Sequence, residues 1–282
     1  MELGEAAALA DKFMISVMFK VHSLPLSDRS GWARQWWRNQ DTRLPLRLSL
    51  DERRRRLSHF AAQRQVDRPR DRQVFLDISA IVNDDGQGQC PALADGICSI
   101  YDARPLTCRT VPMHYSREPS TLQGYLDSFT STPDYRCDTT VSAPAILDGN
   151  RVVDPQIQAD REQALLQAGK DRRWKARIVE MMEDDFKAAS VELPTYATVI
   201  NNSDSGHATL LPMLVAWRVA VMDGLISPEV FRDICENQVR LFEDAIGAHE
   251  TGHPPRYLLE SLAVYQSELS KLSMRGLPAP SV

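Results

Sequence analysis

Apolar positions recur at helical spacing over most of the chain, and alternation of the kind a strand needs is confined to one stretch. Residues 4–21 place Leu9, Phe13, Val17 and Val21 on one face, which predicts an amphipathic helix. Ser23 to Asp28 predict a turn. Trp32, Trp36 and Trp37 sit at helical spacing in a short helix that must end before Pro45. Ser49 and Glu52 have capping-box spacing, so a third helix opens there and carries Arg53 to Arg56. Val66 to Gln73 is polar and loop-like. Val74 to Ile81 alternates and predicts a strand, closed by a turn at Asn83 to Gly86.

The second half is helical in pattern. Asp154-Pro155 reads as a cap followed by proline at the first helical position. Trp174, Ile178, Met181, Met182, Phe186 and Ala189 form one stripe, which Pro194 stops. Leu210 to Met222 is apolar on most sides and predicts a buried central helix ending at Gly224. Ser227-Pro228 opens a helix with Phe231, Ile234, Cys235, Leu241, Phe242 and Ala245 inward. Leu258, Leu262, Tyr265, Leu269 and Leu272 give a last helix before a frayed tail. The expected fold is mainly α, with at most a short strand or hairpin. Residues 1–73 form an N-terminal helical part, 74–144 an irregular cysteine-bearing region, and 145–282 a C-terminal helical part, together one compact unit.

Composition narrows the function. The 282 residues are 43% hydrophobic and 25% charged, enough for an ordinary core. A net charge of −5 and a pI near 5.7 argue against a nucleic-acid partner. No segment reaches the roughly 20 apolar residues of a membrane-spanning helix. The acidic start MELGEAAALADKF is not a secretory signal, so a cytoplasmic location with reduced thiols is expected.

That expectation makes the cysteines informative. Cys90, Cys98 and Cys108 are separated by seven and then nine residues, and Cys137 follows after twenty-eight more. Their segment is rich in Pro, Gly, Ser, Thr and Asp and has little periodicity, so its order needs a source other than an apolar core. A bound metal is such a source. The paired C-x₂₋₄-C knuckles of structural zinc sites are absent. An iron–sulfur cluster is larger than one ion and accepts widely spaced thiolates from irregular loops. Arg104, Arg109, Arg117 and Arg136 supply cationic donors for its negative charge. The residues therefore favour a [4Fe-4S] cluster on Cys90, Cys98, Cys108 and Cys137, with zinc as the alternative. His114 is a further candidate ligand. Arg104-Pro105 fixes a turn, Tyr101 and Ile100 can shield the site from water, and Arg109 can stabilise the neighbouring thiolate.

The run Cys90-Pro-Ala-Leu, Cys98-Ser-Ile-Tyr101, Arg104-Pro105, Cys108-Arg109 and Val111-Pro112 resembles the second half of the YkgJ-like cysteine-cluster family, the CxxCxxCC zinc/iron-chelating domain. The likeness covers about 25 residues. That family's earlier C-x₂-C-x₃-CC run is missing, since residues 1–89 hold no cysteine, so the resemblance implies a divergent member with fewer ligands. Flagellin lysine N-methylase is similar more distantly in its cysteine region. That similarity implies an iron–sulfur enzyme acting on a peptide or small molecule, with S-adenosylmethionine as a candidate co-substrate.

Other motifs compete. His249-Glu250-Thr251-Gly252-His253 matches H-E-x-x-H, and Glu260 or Glu268 could complete a zinc site. Gly252 and Pro254-Pro255 interrupt the helix that such a site needs. Arg53 to Arg56 with Arg64, Arg68, Arg70 and Arg72 interleave with acids and read as a salt-bridged face. Cys235 lies on an apolar stripe, as a small buried hydrophobe would. Three functions follow: an iron–sulfur transferase or oxidoreductase, a non-catalytic metal protein whose helices bind a partner protein, and a zinc metallopeptidase.

Overall fold

The structure is a computed structural model that describes residues 1–25, 54–55, 57, 61–64, 72–83, 90–131, 138, 140–182, 187–188, 191–249 and 254–274. The expected helix at Trp32, Trp36 and Trp37, most of the turn after Asn83, Cys137, Glu250 to His253 and the tail lie outside those residues. Helices predominate among the described residues, as the periodicity predicts. Arg54, Arg55 and Leu57 are helical, within the helix expected from Ser49 onward.

The N-terminal region departs from its expected helix. Only α1 (Leu3–Ala6) and a short 3₁₀ turn (Ala7–Leu9) are helical, and the chain then enters strand β1 (Ile15–Pro25). Ile15, Val17, Phe19 and Val21 are all buried, so the real period is two, and β-branched residues stabilise it. Strands β2 (Ala62–Arg64) and β3 (Arg72–Val82) follow, the latter containing the expected strand and extending it at both ends. Together with strand β10 (Thr209–Pro212) they form a four-stranded sheet in the order β10-β1-β3-β2, which corrects the expectation of at most a short strand or hairpin.

Two-residue strands β4 (Leu93–Ala94) and β5 (Ile97–Cys98) pair as a hairpin. Helices α2 (Leu106–Arg109) and α3 (Leu122–Thr130) come next, then the hairpin of β6 (Leu147–Asp148) and β7 (Arg151–Val152). Helix α4 (Pro155–Met181) starts as expected: Asp154 Oδ1 accepts the amides of Gln156 and Ile157 at 2.8 and 3.0 Å. It ends earlier than the stripe through Phe186 and Ala189 implied. The chain instead forms the hairpin of β8 (Lys187–Ala188) and β9 (Val191–Glu192). Phe186 and Ala189 of that stripe lie outside the described residues.

Helix α5 (Tyr196–Asp204) is capped by Thr195. Strand β10 (Thr209–Pro212) precedes α6 (Leu214–Met222), so the apolar run from Leu210 divides at Pro212 into a strand and a helix. Helix α7 (Pro228–Gly247) is capped by Ser227 Oγ, which accepts the Val230 amide at 3.3 Å. Helix α8 (Arg256–Met274) closes the described chain. Among the described residues no helix is long and apolar enough to cross a membrane.

The chain divides into two compact units of interleaved segments. The first comprises Met1–Lys20, Ile78–Ile100 and Arg173–Val282. Its core is α6, buried at Leu214 to Trp217, Val219 and Ala220. Tyr265 of α8 lies 6.4 Å from Trp217 and 5.9 Å from Phe242 between ring centroids. β10 pairs antiparallel with β1 from Ser16↔Pro212 to Phe19↔Thr209. The fully buried amide of Gln238 on α7 ties the N-terminal segment down. It accepts the Ile15 N–H at 3.1 Å and donates to the Ala10 and Phe13 carbonyls, both at 2.8 Å. Lys175 and Glu2 form a buried ion pair at 2.8 Å.

The second unit comprises Val21–Asp77 and Tyr101–Arg172. β2 pairs antiparallel with β3 from Ala62↔Leu76 to Arg64↔Val74. Its apolar clusters are small: Leu24, Leu57, Ala61 and Phe75 in one, Leu106, Tyr115 and Ala164 in another, and Met113, Leu122 and Val152 in a third.

Candidate metal centre and its surroundings

Cys90 and Cys98 belong to the first unit. Cys90 is exposed, and its carbonyl accepts the Leu93 amide at 3.0 Å, which turns the chain into β4. Asp95 and Gly96 link β4 to β5 with φ of 53° and 79°, the left-handed pair that a tight two-residue hairpin requires. Cys98 is half-buried and pairs with Leu93. The Ala92 carbonyl holds the next residue twice, through Ser99 N at 2.8 Å and Ser99 Oγ at 2.9 Å. Backbone hydrogen bonds thus shape this hairpin, while Leu93 and Ile97 remain exposed on it.

Tyr101, Arg104, Cys108 and Arg109 belong to the second unit. The Arg104 guanidinium lies 3.8 Å from the Tyr101 ring centroid, and its Nε donates to the Tyr101 carbonyl at 3.1 Å. The exposed Tyr101 ring is therefore a platform for Arg104. Pro105, with φ −55° and ψ 148°, leads into the one-turn helix α2, which carries Cys108 at the surface and buries Leu106. Arg109 has a carboxylate partner. It forms a two-pronged ion pair with Asp160 of α4, with Nε on Oδ2 at 3.2 Å and Nη2 on Oδ1. The Val111–Pro112 peptide is cis. His114 accepts from, or donates to, Ser116 Oγ at 2.9 Å through Nδ1 and stacks on Tyr115 at 4.5 Å.

Asp160 and Arg161 were not legible as site residues, yet they organise the segment after Cys108. Arg161 is buried, and its Nη1 donates to the carbonyls of Met113 and, at 2.8 Å, His114. Its Nη2 donates to the Arg117 carbonyl at 3.0 Å. Burial lowers its pKa below the ordinary arginine value. The available signal was positional. Ile157, Ala164 and Ala168 mark the inward stripe of α4, and Asp160 and Arg161 interrupt it at i+3 and i+4.

The other candidates are separate. Cys235 is fully buried on α7, and burial, with the Glu268 and Glu236 carboxylates, pushes its thiol far above the usual range. Glu268 is buried and lies 3.8 Å from Arg218, and Glu260 pairs with Arg256 at 2.6 Å. His249 lies beyond the end of α7 at Gly247, and α8 begins only at Arg256, unlike the continuous helix that an H-E-x-x-H zinc site uses. Among the described residues no three His, Cys, Asp or Glu side chains gather as a metal site, and Cys137 is not one of those residues.

Each unit carries a cavity. That of the first, about 920 Å³, is lined by apolar residues of β9, β10 and α8 together with Glu192 and Glu260. That of the second, about 720 Å³, is lined by the segment from Tyr115 to Leu122, the β6–β7 hairpin and the start of α4. Neither is lined by a cysteine. No family model matches this chain, and neither a curated protein nor a solved structure is found to be similar to it.

Proposed function

We propose that this chain is a metal-cluster protein that binds a [4Fe-4S] cluster through Cys90, Cys98, Cys108 and Cys137. The observation that carries the reading is the contrast among the cysteines. Cys90 and Cys108 present their thiols at the surface on turns and a single helical turn, and Cys98 is half-buried, whereas Cys235 is sealed in a core. Small buried hydrophobes explain the last kind and not the first three. Soft thiolates on irregular segments are the donors a cluster takes.

A bound cluster would supply one-electron chemistry or an open iron coordination site. The protein's own residues would shape the approach. Arg104 and Tyr101 form a stacked pair near Cys108 in sequence, and the Arg109–Asp160 ion pair anchors the helical turn that carries Cys108. The resemblance to flagellin lysine N-methylase favours a transferase or oxidoreductase acting on a peptide or small molecule with S-adenosylmethionine.

One observation favours a second reading. Arg104 and Arg109 are committed to Tyr101 and Asp160, so they serve the loop's architecture. A structural zinc or iron centre with a partner-binding role needs arginines of that kind only for the loop's architecture. Anaerobic purification with iron, sulfide and zinc analysis separates the two. Cys108→Ser is expected to lose the metal, and retention of full metal content by that variant would refute the ligand set.

A further inference from the structure

The cavity of the second unit has cationic lining that the cavity of the first does not. Arg117, Arg151 and Arg161 line it with Glu118 and Glu162, in a chain of net charge −5. Glu118 is already neutralised, because Arg55 donates Nε and Nη2 to its two oxygens at 2.9 and 3.1 Å. Glu162 accepts from Gln158 at 2.7 Å. The first unit's cavity, of similar size, is lined by Glu192 and Glu260 and by no lysine or arginine.

Arg161 carries the argument. Its side chain is within the wall, 6% exposed, and its partners are three backbone carbonyls. Carbonyls satisfy its donors but leave its charge uncompensated, and a buried charge without a counter-ion is costly. Arg151 is exposed, with its Nη2 3.9 Å from Asp148 Oδ2 in a solvent-facing pair that an incoming anion can compete for, and Arg117 lies against the Tyr125 ring at 4.6 Å. Asp154 already caps the first amides of α4, so the helix end is not the source of positive potential. Most of the remaining wall is apolar, including Leu122, Val152, Val153, Pro155 and Leu165, with Ser116, Asn150 and Gln158 as its neutral polar members. We propose that this cavity binds a small organic anion, a carboxylate or phosphate ester on an apolar body, with the anion facing Arg161 and Arg151. The volume suits one such molecule. The site does not involve the cysteines and does not rest on the metal reading.

The test uses the full chain and two fluorescent probes that share an apolar body. Anilinonaphthalene sulfonate carries an anion, and phenylnaphthylamine does not. The sulfonate is expected to bind one per chain, at least about tenfold tighter than the amine, and to be displaced by phenyl phosphate or phenylacetate. Arg161→Met also removes the loop's backbone anchors, so the variants are Arg151→Gln at the exposed rim and Leu165→Trp, which fills the wall. Each is expected to weaken sulfonate binding about threefold or more while leaving the far-ultraviolet circular dichroism unchanged. Equal affinity for the two probes, or sulfonate binding unchanged in both variants, would overturn the proposal.

Discussion

Arg161 and Cys235 show how burial changes the meaning of a side chain. Arg161 donates to the carbonyls of Met113, His114 and Arg117, and so adds to the small apolar clusters at Met113 and Tyr115 that hold this loop. Arg161→Met should remove three hydrogen bonds to backbone carbonyls and destabilise the protein by about 3 kcal/mol or more, read by urea unfolding. A loss under about 1 kcal/mol would show that the loop is held by other means. Arg109→Gln should cost about 2–4 kcal/mol, because it leaves the Asp160 carboxylate, 6% exposed, without its cation. For the cysteines, the prediction concerns reactivity. In metal-free protein at pH 8, an aromatic disulfide reagent should label the exposed Cys90 and Cys108 quickly, and Cys235 only after unfolding. Peptide mapping of the labelled sites reads this directly, and early labelling of Cys235 would contradict its burial.

At the scale of elements, capping chemistry was the most legible feature. Asp154-Pro155 and Ser227-Pro228 start α4 and α7 where the sequence says, because a cap and a proline at the first turn leave few alternatives. The alternation of Val74 to Ile81 likewise marks β3. The helix expected over residues 4–21 gives way to β1 for a definite reason. Val17 and Val21 are four apart, a spacing that fits both one helical face and one strand face. Ile15 and Phe19, also fully buried, belong to the same strand face and decide the matter. The division of the apolar run at Pro212 was available from proline's missing donor. The anchoring of the N-terminal segment by Gln238 was not legible, since a lone glutamine on an apolar stripe does not name its partner. Gln238→Leu should cost about 2–4 kcal/mol in urea unfolding through the unpaired Ile15 N–H and the carbonyls of Ala10 and Phe13. A neutral effect would mean that water reaches this segment.

At the scale of the molecule, two units built from interleaved segments divide the cysteine motif by sequence: Cys90 and Cys98 fall in the first, Cys108 in the second. Spacing alone suggested the chemistry of the donors. It did not disclose that Arg104 and Arg109 have protein partners, because a charge next to a ligand in sequence can point elsewhere in space. The two cavities also differ in charge, a property that emerges only when distant residues are brought together. The central claim concerns the metal, and its most direct test is the composition of the protein purified without oxygen. The account predicts a brown protein with broad visible absorption that bleaches on reduction with dithionite, and about four iron and four sulfide per chain. A colourless protein with one zinc per chain and no sulfide would contradict it.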